Sequence, residues 1–396
     1  MLNNRQLFLD HMAPTSEFPL MLEIERSEGV YLYNTKGEKL MDLISGIGVS
    51  NLGHRHPAVL QAIQEQLDKY LHTMVYGEYV LAPQVELAEL LTSHLPENLN
   101  AVFYVNSGSE ATEGAMKLAK RYTGRSEIVA CKYAYHGSTQ GAASLMYPMD
   151  YTQAYHPLLP DIKHIEYNVF NDLQLITEST AAVIIETVQG EWGVRKPEAC
   201  YLRALREKCT RTGTLLIFDE IQAGYGRTGS LWAFEQYEVV PDVLLLAKGM
   251  GGGMPIGAFV SSQEIMHCLA VNPILGHITT FGGHPVNCAA ALATLKTILK
   301  EQYIESVKEK ETLFRSLLKH PLIKEVRSAG LMMAMELDSF DRVQKVIYYC
   351  LNHGLIVDWF LFNTESVRIA PPLIISKKEI QTACAIILDA LENAKN

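Results

Sequence analysis

Residues 214–229 read TLLIFDEIQAGYGRTG, and residues 243–258 read VLLLAKGMGGGMPIGA. Each opens on a short apolar run, Thr214–Phe218 and Val243–Ala247, followed at once by a charged residue, Asp219 or Lys248. Continuous apolar runs of this length are the pattern of strands buried on both faces. A lysine ending such a strand must be desolvated or bonded, and either is costly. Glycines at 249, 251, 252 and 253 let the backbone bend and come close to a ligand. An amine in that setting can attack a carbonyl and form a Schiff base. Asp219 lies 29 residues before Lys248. One helical crossover would bring both to the sheet edge where ligands of open α/β folds sit. A buried carboxylate there calls for a cationic partner, such as a protonated ring nitrogen. Singly, each has a plainer reading: a lysine reaching solvent, and a helix N-cap.

Working outward, Asn100–Val105, Ile128–Cys131 and Ala181–Thr187 are further apolar runs. Glu110–Tyr122 and Tyr201–Arg211 have helical spacing between them. Strands alternating with helices indicate a largely parallel α/β sheet. The last third reads as a smaller α+β unit. It has helices at His284–Lys300, Ile304–Lys319, Asp341–Asn352 and from Lys377. Its strands are Val326–Arg327, Leu331–Leu337, Leu355–Phe360 and Val367–Ala370. Near the N-terminus, Gly29–Tyr33 and Lys39–Asp42 form a hairpin too small to stand alone. It is expected to pack with the C-terminal unit. The resulting division is 1–50 and 303–396 for a small domain and 51–302 for a large one.

The chain has 396 residues, 48% of them hydrophobic, and a formal net charge of -10. That excludes a disordered chain and a general nucleic-acid footprint. No signal-peptide core and no membrane-span run occurs, so no membrane association is expected. Seven cysteines without a C-x-x-C pair read as free thiols of a cytoplasmic protein. His54 and His56 in GHRHP lack further ligands and read as a turn, so no metal is expected.

Two more segments carry chemistry. Residues 105–111, VNSGSEA, join a strand to a helix, where free amides and the helix dipole suit a phosphate. Gly108 allows close approach and Ser109 adds a hydroxyl, although Ser and Glu there also make a plain cap. Residues 134–138, AYHGS, put an aromatic ring after a strand, where it can stack on a planar group. A lysine for an imine, an acid for a ring nitrogen, an aromatic and a phosphate cradle together describe pyridoxal 5'-phosphate.

The motifs NSGSEA, YHG, ETVQGEWG, IFDEIQAGYGRTG, LLAKGMGGGMPIGA, TTFGGHP and VRIAPPL, with the early DLISGIGVSNLGHRHP, resemble the class III aminotransferases of the acetylornithine and ornithine group. The resemblance runs from about residue 17 to the C-terminus. It implies a fold-type I transferase, with a mostly parallel seven-stranded sheet in the large domain and a small domain from both termini. It implies that Lys248 carries the cofactor and shuttles the proton, while Asp219 holds the pyridine nitrogen protonated. Gln222 would bond the ring oxygen, and Tyr135 would stack on the ring. Ser107, Gly108 and Ser109 would hold the phosphate, with His136 and Glu186 also against the cofactor. Thr280, assisted by Thr279, would reach the phosphate from the second subunit of a homodimer with shared sites. Arg368 would bind the α-carboxylate of glutamate or 2-oxoglutarate, and Glu191 would pair with it when the ω-amino substrate is bound.

The substrate side departs from the family pattern. The group usually reads HGR after the stacking aromatic, and its arginine takes a distal carboxylate. Here the third residue is Ser138, which cannot make a bidentate contact. Trp192 stands where a small residue is usual, and His284 replaces asparagine in TFGGNP. Ile47, Tyr76, Tyr79, Ser138 and Trp192 are the candidates for lining the substrate pocket. The expected reaction is transamination of an ω-amino acid of acetylornithine or ornithine type with 2-oxoglutarate, giving a semialdehyde and glutamate. The alternatives are a 4-aminobutyrate-, lysine- or alanine-type amine donor, or a lyase or aminomutase on the same fold.

Overall fold

The computed structural model describes residues 3–394. The apolar runs become strands of one sheet: β1 (Ala101–Val105), β2 (Glu127–Cys131), β3 (Ile162–Ile165), β4 (Thr180–Glu186), β5 (Leu215–Asp219), β6 (Val243–Leu246) and β7 (Gly257–Ser261). Their spatial order is β1-β7-β6-β5-β4-β2-β3. Pairs from β6 through to β3 are parallel, and β7 runs antiparallel to β6 and β1. Every residue of β4 to β7 is buried, which is why these strands lack polar alternation. The sequence pattern does not mark β3 or β7. β3 (IKHI) has only four residues at the sheet edge, and β7 starts at a glycine straight after a Gly/Pro run.

Apolar layers cover both faces of the sheet. Leu202, Leu205, Leu292 and Leu295 of helices Ala199–Thr212 and Pro285–Lys300 pack on the face showing Val183, Ile185, Leu216 and Leu244. Ala111, Ala115 and Leu118 of helix Gly108–Thr123 pack on the other face, with Ile184, Ile217 and Leu245. Adjacent residues of one strand thus serve opposite layers, the period of a pleated strand.

The expected helical crossover from Asp219 to Lys248 is not present. The segment holds a single 3-10 turn, Ala233–Tyr237. Gly224, Gly226 and Gly229 explain this, since the last two sit at φ 85° and 93° and interrupt any helix. Asp219 and Lys248 still reach the same sheet edge, because β5 and β6 are adjacent and parallel.

The N-terminal hairpin gains a strand before it, giving Ile24–Glu28, Tyr31–Asn34 and Lys39–Asp42 in antiparallel order. Leu355–Ile356 adds to it in parallel, pairing with Met41 and Asp42. The expected strand Leu355–Phe360 divides at Val357. Its second half, Asp358–Trp359, joins a different sheet of order Glu325–Ala329, Met332–Glu336, Ser366–Ile369, Asp358–Trp359. Val30, Met41 and Leu43 share one core with Met333, Val346, Val367 and Ile387, so both termini build the small domain. Among the described residues no helix is long and apolar enough to cross a membrane.

Candidate active site

The carboxyl ends of β4, β5 and β6 converge on a cavity of about 700 Å³ lined by Ser107, Gly108, Ser109, Tyr135, His136, Glu186, Asp219, Gln222 and Lys248. A second chamber of about 780 Å³ adjoins it, sharing Tyr135, Ser138, Glu191 and Lys248. Ile47 and Arg368 line this outer chamber.

Lys248 begins a 3-10 turn at φ 44°, in the left-handed region, immediately after Ala247 leaves the strand. A non-glycine residue there costs of order 1–3 kcal/mol and is held only by its surroundings. Burial pulls the Lys248 amine below the ordinary lysine range, a shift that the nearby Glu191 carboxylate opposes. The neighbouring glycines serve the protein more than the cavity. A Cβ at Gly249 would meet Asn51 Nδ2 at 2.7 Å, and one at Gly252 would meet Thr294 Oγ1 at 2.2 Å. Within the glycine run Gly253 is the residue that lines the cavity.

Asp219 is buried at the base of the cavity. Its Oδ2 lies 2.7 Å from His136 Nδ1, and its Oδ1 accepts the Ile221 amide at 2.9 Å. Burial alone would lower the pKa of His136. The hydrogen bond and charge of Asp219 outweigh it and raise the imidazole. Glu186 stands beside Asp219 in register on β4. It accepts the amides of Tyr135 (2.9 Å) and Gly190 (2.7 Å), and burial pushes its carboxyl up to about 7. Gly190 also makes room for Gln222, since a Cβ there would lie 2.6 Å from Gln222 Oε1.

At the opposite side stands the N-terminus of helix Gly108–Thr123. Ser107 caps it by accepting the Glu110 amide at 3.1 Å, while Glu110 binds the Asn106 amide at 2.7 Å. The amides of Gly108 and Ser109 precede the first intrahelical bond and face the cavity with the helix dipole behind them. Ser109 Oγ lies 2.8 Å from Thr139 Oγ1. Gly137, at φ 130°, passes so close that a Cβ would sit 2.3 Å from Ser109 Oγ. A buried lysine, a carboxylate fixed at the base and an amide-and-hydroxyl cradle at the rim fit pyridoxal phosphate in charge and in order.

Tyr135 OH pairs with Ser138 Oγ at 2.8 Å. Glu191 and Arg368 form a buried bidentate pair, Nη1 to Oε1 at 2.9 Å and Nη2 to Oε2 at 2.6 Å. Burial works against the Glu191 carboxylate, but Arg368 outweighs it and holds the group below its usual range. Arg368 Nε is buried without a partner, which leaves one donor uncommitted.

Five sequence candidates lie elsewhere. Trp192 stacks on Tyr133 at 4.9 Å and lines a separate polar pocket with Arg195 and Arg327. Tyr76 and Thr279 line a separate small cavity of about 240 Å³, where Thr279 Oγ1 accepts from Asn106 Nδ2 of the main cavity wall at 3.2 Å. Tyr79 and Thr280 are exposed. Residues without a marked sequence signal complete the site: Thr139, Val188, Tyr151, Asp358 and Trp359. The last two are placed only by the division of the strand at Val357.

The family model for Aminotransferase class-III matches residues 12–391. An acetylornithine aminotransferase from Methanopyrus kandleri is 40% identical over 386 residues, covering 96% of each chain. A transaminase from the marine bacterium Virgibacillus superposes with a TM-score of 0.93 at 28% identity over 98% of both chains. The ornithine aminotransferase from Toxoplasma gondii, solved with partial occupancy of PLP at its active site, superposes with a TM-score of 0.90 at 28% identity, over 99% of this chain and 95% of that one. The cavity and its likenesses agree: this chain belongs to the class III aminotransferase family and is a pyridoxal-phosphate-dependent transaminase.

Proposed function

We propose that the chain transfers the amino group of an ω-amine donor of acetylornithine or ornithine type to 2-oxoglutarate, giving a semialdehyde and glutamate. The donor carbon is oxidised from amine to aldehyde, the acceptor's keto carbon is reduced to an amine, and the oxygen passes overall from acceptor to donor. Bound pyridoxal phosphate supplies the electron sink for this exchange. Lys248 would provide the amine that attaches it and would carry the proton between the reacting carbons. Asp219, held by His136, would keep the ring nitrogen protonated. Tyr135 would pack on the ring, and Gln222 would bond its oxygen. Gly108 and Ser109 would hold the phosphate, joined by the partner subunit's Thr280 in a homodimer. The proposed domain boundaries near residues 50 and 302 leave this site at the junction of both domains. The proposed location is the cytoplasm.

The observation carrying the reading is the bidentate Glu191–Arg368 pair at the wall of the outer chamber. A buried arginine needs a carboxylate in both half-reactions. Glu191 supplies it while the amine donor is bound, and the α-carboxylate of the acceptor replaces it. In a stopped-flow experiment glutamate should change the absorbance of the bound cofactor, and 2-oxoglutarate should restore it. Arg368→Ala should slow this half-reaction at least 100-fold and the amine half-reaction far less. Equal losses in both would refute the exchange.

One observation favours a second acceptor. Among the described residues lining the two chambers, Arg368 is the only arginine and Lys248 the only lysine, and His136 is taken up by Asp219. A single guanidinium serves one carboxylate, so a monocarboxylate acceptor of pyruvate type fits these walls. Alanine outperforming glutamate in the same experiment decides for it.

A further inference from the structure

The transaminase reading leaves open what the far end of the donor looks like, and the walls of the outer chamber bear on that. We infer that this chamber selects a donor whose far end is a second ammonium group, an α,ω-diamine, over donors ending in a carboxylate. The inference rests on the proposed transamination and divides its donor class: ornithine carries a second ammonium group at its far end, whereas acetylornithine ends in a carboxylate with an uncharged amide and is disfavoured.

Charge carries the argument first. The outer chamber is faced by two acids, Glu191 and Asp358, and two bases, Lys248 and Arg368. Arg368 commits both terminal nitrogens to Glu191. Asp358 forms no ion pair among the described residues, and its Oδ1 accepts the neighbouring Trp359 amide at 2.7 Å. One acid therefore remains without a counter-charge, in a chamber whose one permanent cation is already paired. Burial raises the Asp358 carboxyl despite the opposing charge of Arg368, as fits a carboxylate short of a partner. Its placement is set by the fold, because Asp358 pairs in register with Arg368 across the two strands.

The chemistry of the remaining wall agrees. Tyr135, Tyr151, Tyr155 and Trp359 present aromatic rings. Ring faces attract ammonium groups and repel carboxylates. Met146 and Leu361 offer apolar surface for the methylenes between the two ends. Where the resemblance leads one to expect an arginine, Ser138 is tied to the Tyr135 hydroxyl. A carboxylate end would meet an unpaired acid, and would have to displace Glu191 to gain the bidentate face of Arg368. An ammonium end would meet Asp358.

The test uses the holoenzyme and three amines of one length: 1,5-diaminopentane, pentylamine and 5-aminopentanoate. Each is mixed with the enzyme without acceptor, and the change in cofactor absorbance gives its second-order rate. The diamine should be fastest, and at least tenfold faster than 5-aminopentanoate. In Asp358→Asn the ratio of diamine to pentylamine should fall about tenfold. In Ser138→Arg the ratio of 5-aminopentanoate to diamine should rise. The inference is overturned if 5-aminopentanoate equals or exceeds the diamine. It is also overturned if the diamine is no faster than pentylamine, or if Asp358→Asn leaves their ratio unchanged. Glutamate and alanine are run in parallel, and silence of the cofactor toward them and every amine overturns the transaminase reading itself.

Discussion

At Lys248 the chain accepts two costs, a buried amine and a left-handed backbone. Both bear on the chemistry. The depressed pKa leaves more of the amine unprotonated near neutrality, so it can attack a carbonyl without a separate base. The sign can be tested on apoprotein. The rate of covalent reattachment of pyridoxal phosphate should rise with pH, with a midpoint below 10.5, the ordinary lysine value. A midpoint at or above that value would sink the argument. Asp219 shows the complementary case. Its carboxylate is buried, yet it is satisfied by His136 and the Ile221 amide before any cofactor binds. The plain helix-cap reading is not met: Asp219 accepts the Ile221 amide, but a turn and not a helix follows it. What the sequence could not disclose is the imidazole on its other oxygen, contributed from 83 residues away.

At the scale of elements, close approach is what shapes the site. The turn at residues 136–139 crosses the N-terminus of helix Gly108–Thr123 with no space for a side chain at Gly137. Gly137→Ala would push Ser109 out of the cradle and place alanine at a φ that it resists. Pyridoxal phosphate affinity, measured by fluorescence titration of the apoprotein, should fall at least tenfold while the melting temperature moves by only a few degrees. Unchanged affinity would argue against the cradle. Glu220 plays a structural part next to the site. It accepts the amides of Ala233 (2.7 Å) and Phe234 (2.6 Å) and the Thr187 hydroxyl (3.0 Å), anchoring the 3-10 turn that replaces the expected helix. Burial raises its carboxyl from 4.5 to about 7. The unfolded carboxyl thus ionises before the folded one. The stability it contributes is complete below about 4.5 and is lost as pH rises through about 7, a change on the order of 3 kcal/mol. Glu220→Gln removes that titration. It also turns an amide NH₂ toward a backbone donor, at a cost of about 1–3 kcal/mol. Denaturant midpoints between pH 5 and 7.5 should therefore be lower and flatter in the variant, and parallel curves would contradict the assignment.

For the whole molecule, the site depends on how domains and subunits meet. Arg227, fully buried, bonds Asn51 Oδ1 (2.5 Å) and the carbonyls of Leu331 (3.1 Å) and Pro371 (2.5 Å). One side chain thus clamps the large domain to the segment that carries Arg368. Thr280 is exposed beside Phe281, and Ile274 and Val80 are also exposed apolar residues, the last at 90%. An exposed apolar residue such as Phe281, next to a residue expected to serve another subunit's cofactor, suits a dimer interface. The homodimer proposal predicts complementation. Lys248→Ala and Thr280→Ala dimers should each be impaired, and after subunit exchange the mixture should recover activity, since the heterodimer holds one site intact in both residues. No recovery, with heterodimers verified by mass spectrometry, would refute shared sites.

Much of this was legible in the chain itself. The buried strands β2, β4, β5 and β6, the helix starting at Gly108, and the Lys248 and Asp219 positions follow from local patterns. Hydrophobic runs, glycines and misplaced charges are written in consecutive residues. The unmarked parts all depend on partners far away in sequence. The edge strand β3 is specified by its neighbour β2, and β7 by the two strands it joins. Leu355–Trp359 divides between two sheets because Met41 and Arg368 offer different edges on either side of Val357. Asp358 enters the outer chamber only through that division. The sequence by itself determined the cofactor chemistry, because each group that the cofactor needs sits at the end of its own strand or helix. Only the tertiary structure decided which charges face the donor, since pairing and desolvation arise when distant segments are packed together.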